Sequence, residues 1–323
     1  MAALIRVPLF ILAHPRNKVD ACPKARHTSR MALTANQQAI LDRAVAKLRG
    51  VPNIAAIVLG GSHARGRARV DSDIDIGLYY RDAARFDIAA IRAIAAELND
   101  TPSPVVSGFG EWGRWVDGGA WLNIGGQRVD LLYRALDRVE ATLADAQAGR
   151  YEIDHLQQPP FGFFGPTVLG EVAICQQLHD PHGEIERLKA RVTPMPEPLA
   201  AAMVQNNLWA VEFGLHAFAP KFAQAGDAYG LGGCLARFAN NLVLALFALN
   251  RVYLVNDKTA LAEIDEFAQA PPSFSGRVWL MLGAIGHDAG DHQVSLETCR
   301  RLFADVKALA GGAYCPAWNL DAL

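Results

Sequence analysis

Residues 59–77 constrain this chain more than any other stretch: Leu59-Gly60-Gly61-Ser62-His63-Ala64-Arg65-Gly66 is followed closely by Asp73-Ile74-Asp75-Ile76-Gly77. The continuous apolar run over 54–59 fits a buried strand feeding a tight glycine turn, and the turn starts a short helix. Residues 73–80 then alternate as a second strand, sending Asp73 and Asp75 to one face and Ile74 and Ile76 to the other. Two carboxylates on one strand face, just after a turn with little side chain, describe a surface built for a charged ligand.

The chain has 323 residues, 51% hydrophobic and 20% charged, so it can bury a large core and is long enough for two domains. A formal net charge of -2 argues against a strongly electrostatic grip on nucleic acid, and small molecules or proteins are the expected partners. No basic stripe with interleaved aromatics supports RNA as a partner. The five cysteines are scattered, with no Cys-x-x-Cys pair, which fits a reducing compartment and a cytoplasmic location, without a zinc site or a disulfide framework. The apolar runs read as too short to span a bilayer, and no membrane partner is expected. Pro8 interrupts the apolar run near the start, and polar, basic residues follow it without a cleavage signal.

These patterns divide the chain into a disordered extension over 1–33, an α+β domain over 34–150 and an α-helical domain over 151–323. Thr34 is placed to cap a helix running to Leu48, and a second helix is expected over 86–98. Residues 121–133 read as a hairpin turning on Gly125-Gly126, with Asp130 in its second strand, and 135–148 as a helix. A small mixed sheet flanked by helices results. Beyond about residue 150 strand signals nearly vanish, and Pro159-Pro160 marks a linker. Leu231, Leu235, Phe238, Leu242, Ala245 and Leu249 then form the core stripe of a bundle helix, and two more helices are expected near 278–285 and 296–309.

Handling a triphosphate requires charge neutralisation by a divalent cation, and magnesium prefers a few carboxylates plus water. Asp73 and Asp75 supply two, and Asp130, the one acid in the apolar run Arg128-Val129-Asp130-Leu131-Leu132-Tyr133, supplies the third. An acid buried there without a cation, a donor or an open cleft would be costly. Gly60 and Gly61 let the backbone approach phosphate, Ser62 offers a hydroxyl, and Arg65 can reach a phosphate oxygen. An acceptor hydroxyl could then attack the α-phosphorus in line, with Asp130 receiving its proton.

The pattern Gly-Gly-Ser-x-Ala-Arg-Gly followed by Ser72-Asp73-Ile74-Asp75-Ile76-Gly77 and a later strand aspartate resembles the minimal nucleotidyltransferases of the DNA polymerase beta superfamily, over roughly residues 35–135. The resemblance implies that Gly61 and Ser62 bind triphosphate and that Asp73, Asp75 and Asp130 carry magnesium, with manganese as a substitute. The helical half resembles the C-terminal bundle of kanamycin-type antibiotic nucleotidyltransferases, which implies that Lys258 approaches the triphosphate. The expected activity is magnesium-dependent transfer of a nucleoside monophosphate, AMP from ATP or the equivalent from another NTP, to a hydroxyl on a small molecule or protein. The alternative is an antitoxin-like regulator that binds nucleotide and a protein partner with little turnover.

Other features read as structural. His63 belongs to the turn or faces solvent, Asp71 ends a loop, and His179-Asp180-Pro181-His182-Gly183 is a turn leading into a helix at 184–192. Trp112, Trp115 and Trp121 are expected in the core or anchoring loops. Asn206, Asn207, Glu212, Arg237, Asn240 and Asn241 interrupt apolar helices, so some must line a cavity or interface.

Overall fold

Thr34 and Gln37 start the fold with a reciprocal cap. In the computed structural model, which describes residues 33–320, the Gln37 amide donates to the Thr34 hydroxyl at 3.2 Å, and the Thr34 amide donates to the Gln37 side chain at 3.0 Å. Two orphan donors are thereby satisfied at the head of α1 (Ala35–Leu48), where the sequence places Thr34 as the cap; the reciprocal bond from Gln37 adds to it. The extension expected over 1–33 lies, apart from its last residue, outside the described residues.

Five strands of the N-terminal half follow: β1 (Ala56–Leu59), β2 (Ile74–Tyr80), β3 (Val105–Val106), β4 (Gly119–Ile124) and β5 (Gln127–Ala135). The single-turn helix α2 (Gly61–Ala64) separates β1 from β2, and α3 (Ile88–Leu98) precedes β3. Gly125 and Gly126 both have positive φ, 59° and 77°, which closes the β4–β5 hairpin in the way an L side chain would resist. After α4 (Leu136–Gln147) come a two-stranded ribbon, β6 (Ile153–Asp154) and β7 (Phe163–Phe164), then α5 (Thr167–Ile174) and β8 (Gln176–His179).

The main sheet runs β3-β4-β5-β2-β1-β8, with β2 and β5 parallel and every other neighbouring pair antiparallel. It is the mixed sheet of an α+β fold. The sixth strand comes from the half that the hydrophobic pattern reads as helical. Gln176-Gln177-Leu178-His179 has no apolar alternation because it is a polar edge strand, held by backbone pairing with β1.

Strand alternation decides what each face of the sheet covers. Ile57, Leu59, Ile74, Ile76, Leu78, Val129 and Leu131 pack with Ile40, Leu41 and Ala44 of α1 and Ile91 and Ala95 of α3. The opposite set, including Ala56, Val58 and Tyr79, joins the larger core of the helical half. Asp75 and Asp130 belong to this second face, where they interrupt an otherwise apolar surface.

The helical half contains α6 (Glu184–Val192), α7 (Glu197–Ala217), α8 (Ala219–Ala225), α9 (Ala228–Leu249), α10 (Ala260–Ile264), α11 (Phe274–Gly283) and α12 (Ala289–Ala310). Its central pair is α7 and α9, with α12 against both. By length and hydropathy α9 could cross a membrane, contrary to the sequence reading, yet 67% of that apolar window is buried inside the protein, as expected of a core bundle helix. Asp180 caps α6 by accepting from the Glu184, Ile185 and Glu186 amides, so the His-Asp-Pro-His-Gly stretch is turn chemistry. The polar residues of α7 find internal partners: Asn207 Nδ2 donates to the Met203 carbonyl and the Tyr151 hydroxyl, and Glu212 accepts from Lys307 and Tyr314.

Candidate active site

The site grows from the parallel pairing of β2 and β5. In that register Asp75 stands directly opposite Asp130, so both carboxylates project from the same face of adjacent strands. Asp73, just before β2, shares the face by alternation. The Gly60 amide donates to the Asp75 carbonyl at 2.8 Å, fixing the glycine turn beside the acidic strand.

Gly61 has φ +58°, and a Cβ built there would stand 1.7 Å from Asp75 Oδ2. Only glycine leaves that carboxylate its space and also adopts this backbone conformation without strain. Ser62 and His63 complete the single turn of α2. His63 is buried, and burial pushes its pKa below the ordinary imidazole value, with the backbone of Ser72 opposing. Its burial fits a place within the turn, and the solvent-facing alternative is corrected.

The three aspartates are electrostatically unlike an ordinary surface cluster. Burial, then Asp130, Asp73 and Glu171, push the Asp75 carboxyl up to about 7, with Arg134 opposing. Burial and Asp73 likewise raise Asp130, with Arg128 opposing. Asp73 Oδ1 lies 2.6 Å from Arg128 Nε, but the contact lacks hydrogen-bond alignment and the buried oxygen has no hydrogen-bond partner. As the side chains stand, no group of three or more His, Cys, Asp or Glu among the described residues is gathered tightly enough to hold a metal ion. Even so, the donor set fits a hard divalent cation: oxygen ligands only, mutual repulsion to relieve and a buried carboxylate oxygen that accepts no hydrogen bond.

Two residues that the sequence reading did not single out stand behind this cluster. Arg134, at the far end of β5, donates from Nε and Nη2 to Glu171 of α5 at 2.6 and 2.8 Å. It also donates to the carbonyls of Val116 and Tyr133. A charged residue in the apolar run of a strand was the available signal for Arg134, whereas nothing local in 167–174 marks Glu171 as its partner.

Arg65 reaches across the fold. Its guanidinium donates to Glu263 of α10, whose other oxygen accepts from Thr259, and Arg67 pairs with Glu266 at 2.6 Å. The glycine turn is therefore tied to the helical half, and Arg65 has a carboxylate partner besides any phosphate. Lys258 lies exposed in the loop just ahead of Thr259, so its backbone belongs to the same junction as Arg65. Glu212, one of the polar residues that interrupt the apolar helices, lies away from this site, bound to Lys307 and Tyr314 within the bundle.

The tryptophans separate. Trp115 is buried and stacks on Phe163, as expected of a core residue. Trp121, opposite Asp130 on β4, is 53% exposed, so a core role is corrected for it. Its alternation places it on the acidic face, not among the apolar residues packed under α1 and α3.

Two segments of the chain match known family models. Residues 44–106 match the family model described as polymerase beta nucleotidyltransferase, and residues 167–258 match a domain of unknown function, DUF4037. No curated protein matches the chain. The crystal structure of a nucleotidyltransferase-like protein from Exiguobacterium sibiricum 255-15 aligns with a TM-score of 0.43 and 9% identity, over 85% of this chain and 77% of that one. Over residues 44–106, which hold the glycine turn, Asp73 and Asp75 but not Asp130, the chain is similar to the polymerase beta nucleotidyltransferase domain.

Proposed function

We propose that the chain transfers a nucleoside monophosphate, AMP from ATP or the equivalent from another NTP, to a hydroxyl of a small molecule or protein, with magnesium or manganese held by Asp73, Asp75 and Asp130. The observation that carries this reading is the contact geometry at Gly61: the glycine turn and Asp75 are so close that a single methyl group would collide with the carboxylate. A phosphate-cradling backbone and a set of cation ligands therefore form one site.

Bound magnesium would neutralise charge developing on the phosphates. The backbone of Gly60 and Gly61 and the Ser62 hydroxyl hold the β- and γ-phosphates as the leaving group. Asp130, with its raised proton affinity, accepts the acceptor's hydroxyl proton while the acceptor oxygen bonds the α-phosphorus. The bond from that phosphorus to the bridging oxygen breaks and pyrophosphate leaves with the electron pair. Arg134 keeps a positive charge behind Asp75, and Lys258 and Arg65 approach the triphosphate from the interdomain junction.

The test supplies each of the four NTPs, labelled at the α-phosphorus, with magnesium and a panel of hydroxylated small molecules or cell protein. Label on a small molecule or a protein band supports the transferase. Tight nucleotide binding with no label transferred overturns it in favour of the antitoxin-like regulator.

A further inference from the structure

Across the sheet, the features of the site fall in a fixed order. The glycine turn follows β1, Asp73 immediately precedes β2 and Asp75 belongs to it, Asp130 belongs to β5, and Trp121 to β4. Trp121 therefore stands on the far side of Asp130 from the phosphate turn. If phosphates occupy the β1 side, the β4 side is where the molecule that loses its proton to Asp130 must lie. This argument rests on the transferase reading above.

A cavity of about 530 Å³ occupies that side, with Asp73 and Asp130 at one end, Trp121 and Val105 as its apolar surface, and Asn123 and Arg128 beside them. Its volume suits a small molecule of one to a few rings. Trp121 is built as a platform. Trp112 stacks against it at 4.5 Å between ring centroids and 19° between planes, and Trp112 itself packs over Gly119, where a Cβ would come within 2.9 Å of its ring. Trp112 covers one face of an indole that is still 53% exposed beside two carboxylates, so apolar ring surface remains open to a ligand.

Charge narrows the occupant further. Asp100 lines the same cavity, and its two oxygens accept from the Gly125 and Gly126 amides at 2.7 and 2.9 Å, so it is locked in place as an anion. With Asp73 and Asp130 committed to the proposed cation, Asp100 offsets the guanidinium of Arg128, and the triphosphate nearby is left to repel an anionic acceptor. We infer that this groove is the acceptor subsite and that it selects a hydroxyl carried on a ring with an apolar face, uncharged or cationic, stacked on Trp121. Both a phenol and the C–H face of a pyranose supply that chemistry.

The test uses the full chain, Trp121→Ala and Trp121→Phe, with two ring probes, phenol and methyl β-D-glucopyranoside, and two controls, 1,4-butanediol and glucose 6-phosphate. Saturation-transfer NMR reads binding without any requirement for turnover. The expected result is that at least one ring probe binds wild type, weakens about tenfold or more in Trp121→Ala, and recovers most of its binding in Trp121→Phe, while both controls bind poorly throughout. Which ring probe responds distinguishes an aromatic from a sugar acceptor. Equal binding of the ring probes to wild type and Trp121→Ala, or no binding to either, overturns the subsite. So does a Trp121→Ala variant whose affinity for NTP falls while ring binding holds, since the indole would then be stacking on the nucleotide base. Ring binding that depends on Trp121 with no label transfer leaves the groove standing and overturns only the transferase reading. Thermal melting of both variants separates loss of binding from loss of fold.

Discussion

Arg134 and Glu171 form a two-pronged ion pair between β5 and α5, with Nε and Nη2 of the arginine 2.6 and 2.8 Å from the two carboxylate oxygens. The pair joins the strand that carries Asp130 to the helix that opens the second matched segment of the chain. Its charge also lies close enough to Asp75 to influence the carboxyl from behind.

Glu171→Ala should therefore be costly to the fold. It leaves the Arg134 guanidinium buried with only backbone carbonyls as partners, and breaking a buried pair from one side costs about 3–5 kcal/mol. Arg134→Met combined with Glu171→Leu should recover most of that loss, because it removes both charges and keeps the volume. Denaturant melts of the single and double variants measure the difference.

Gly61→Ala should remove activity with a modest effect on stability. The new methyl group would collide with Asp75 Oδ2, and the positive φ adds about 1–2 kcal/mol of strain for a residue with a Cβ. The carboxylate must move, so both NTP binding and transfer are expected to fall sharply while circular dichroism remains close to that of wild type. Retained transfer in this variant would mean that the turn and Asp75 do not act as one site.

What could be read from the sequence was what local chemistry determines. Thr34 reads as a helix cap, the hairpin turns on two glycines, and strand alternation alone puts Asp73 and Asp75 on one face. Asp130 was legible as an acid inside an apolar strand, although its place opposite Asp75 depends on a parallel pairing that no short pattern encodes. The partners were not legible. Arg65 meets Glu263 across 198 residues and Arg134 meets Glu171 across 37, and each carboxylate sits in a helix where an exposed acid would look the same. The exposure of Trp121 was hidden for a related reason: an aromatic in a strand belongs to whichever face the register assigns, and the tryptophan alone does not announce that face.

Asp130→Asn isolates the proton-accepting role. The amide keeps the shape of the side chain and a coordinating oxygen but has no basicity, so the transfer rate should fall about 10²–10⁴-fold. Asp73→Ala and Asp75→Ala should abolish transfer altogether, since each removes a proposed cation ligand and not a core contact. Melting temperatures at or above that of wild type would show that these are losses of chemistry. Unchanged transfer in any of the three would refute the assignment.

The pH dependence of Asp75 gives a test that needs no acceptor. Burial and neighbouring carboxylates raise this group to about 7 in the folded protein without cation, from 3.8 as its ordinary value. Below pH 4 it is protonated in both folded and unfolded chains and costs the fold nothing. As pH rises the unfolded chain releases the proton first, so stability falls progressively until the folded-state carboxyl ionises near 7. Asp75→Asn carries no such penalty: its melting temperature should match wild type near pH 4 and exceed it at pH 8. Magnesium or manganese should reverse the difference by stabilising wild type and not the variant. Cation binding must displace the Asp75 proton, so affinity should weaken by about tenfold per pH unit below 7 and level off above it. Calorimetric titration with manganese from pH 5.5 to 8.5 measures that slope, and a flat profile would show that Asp75 is not a ligand.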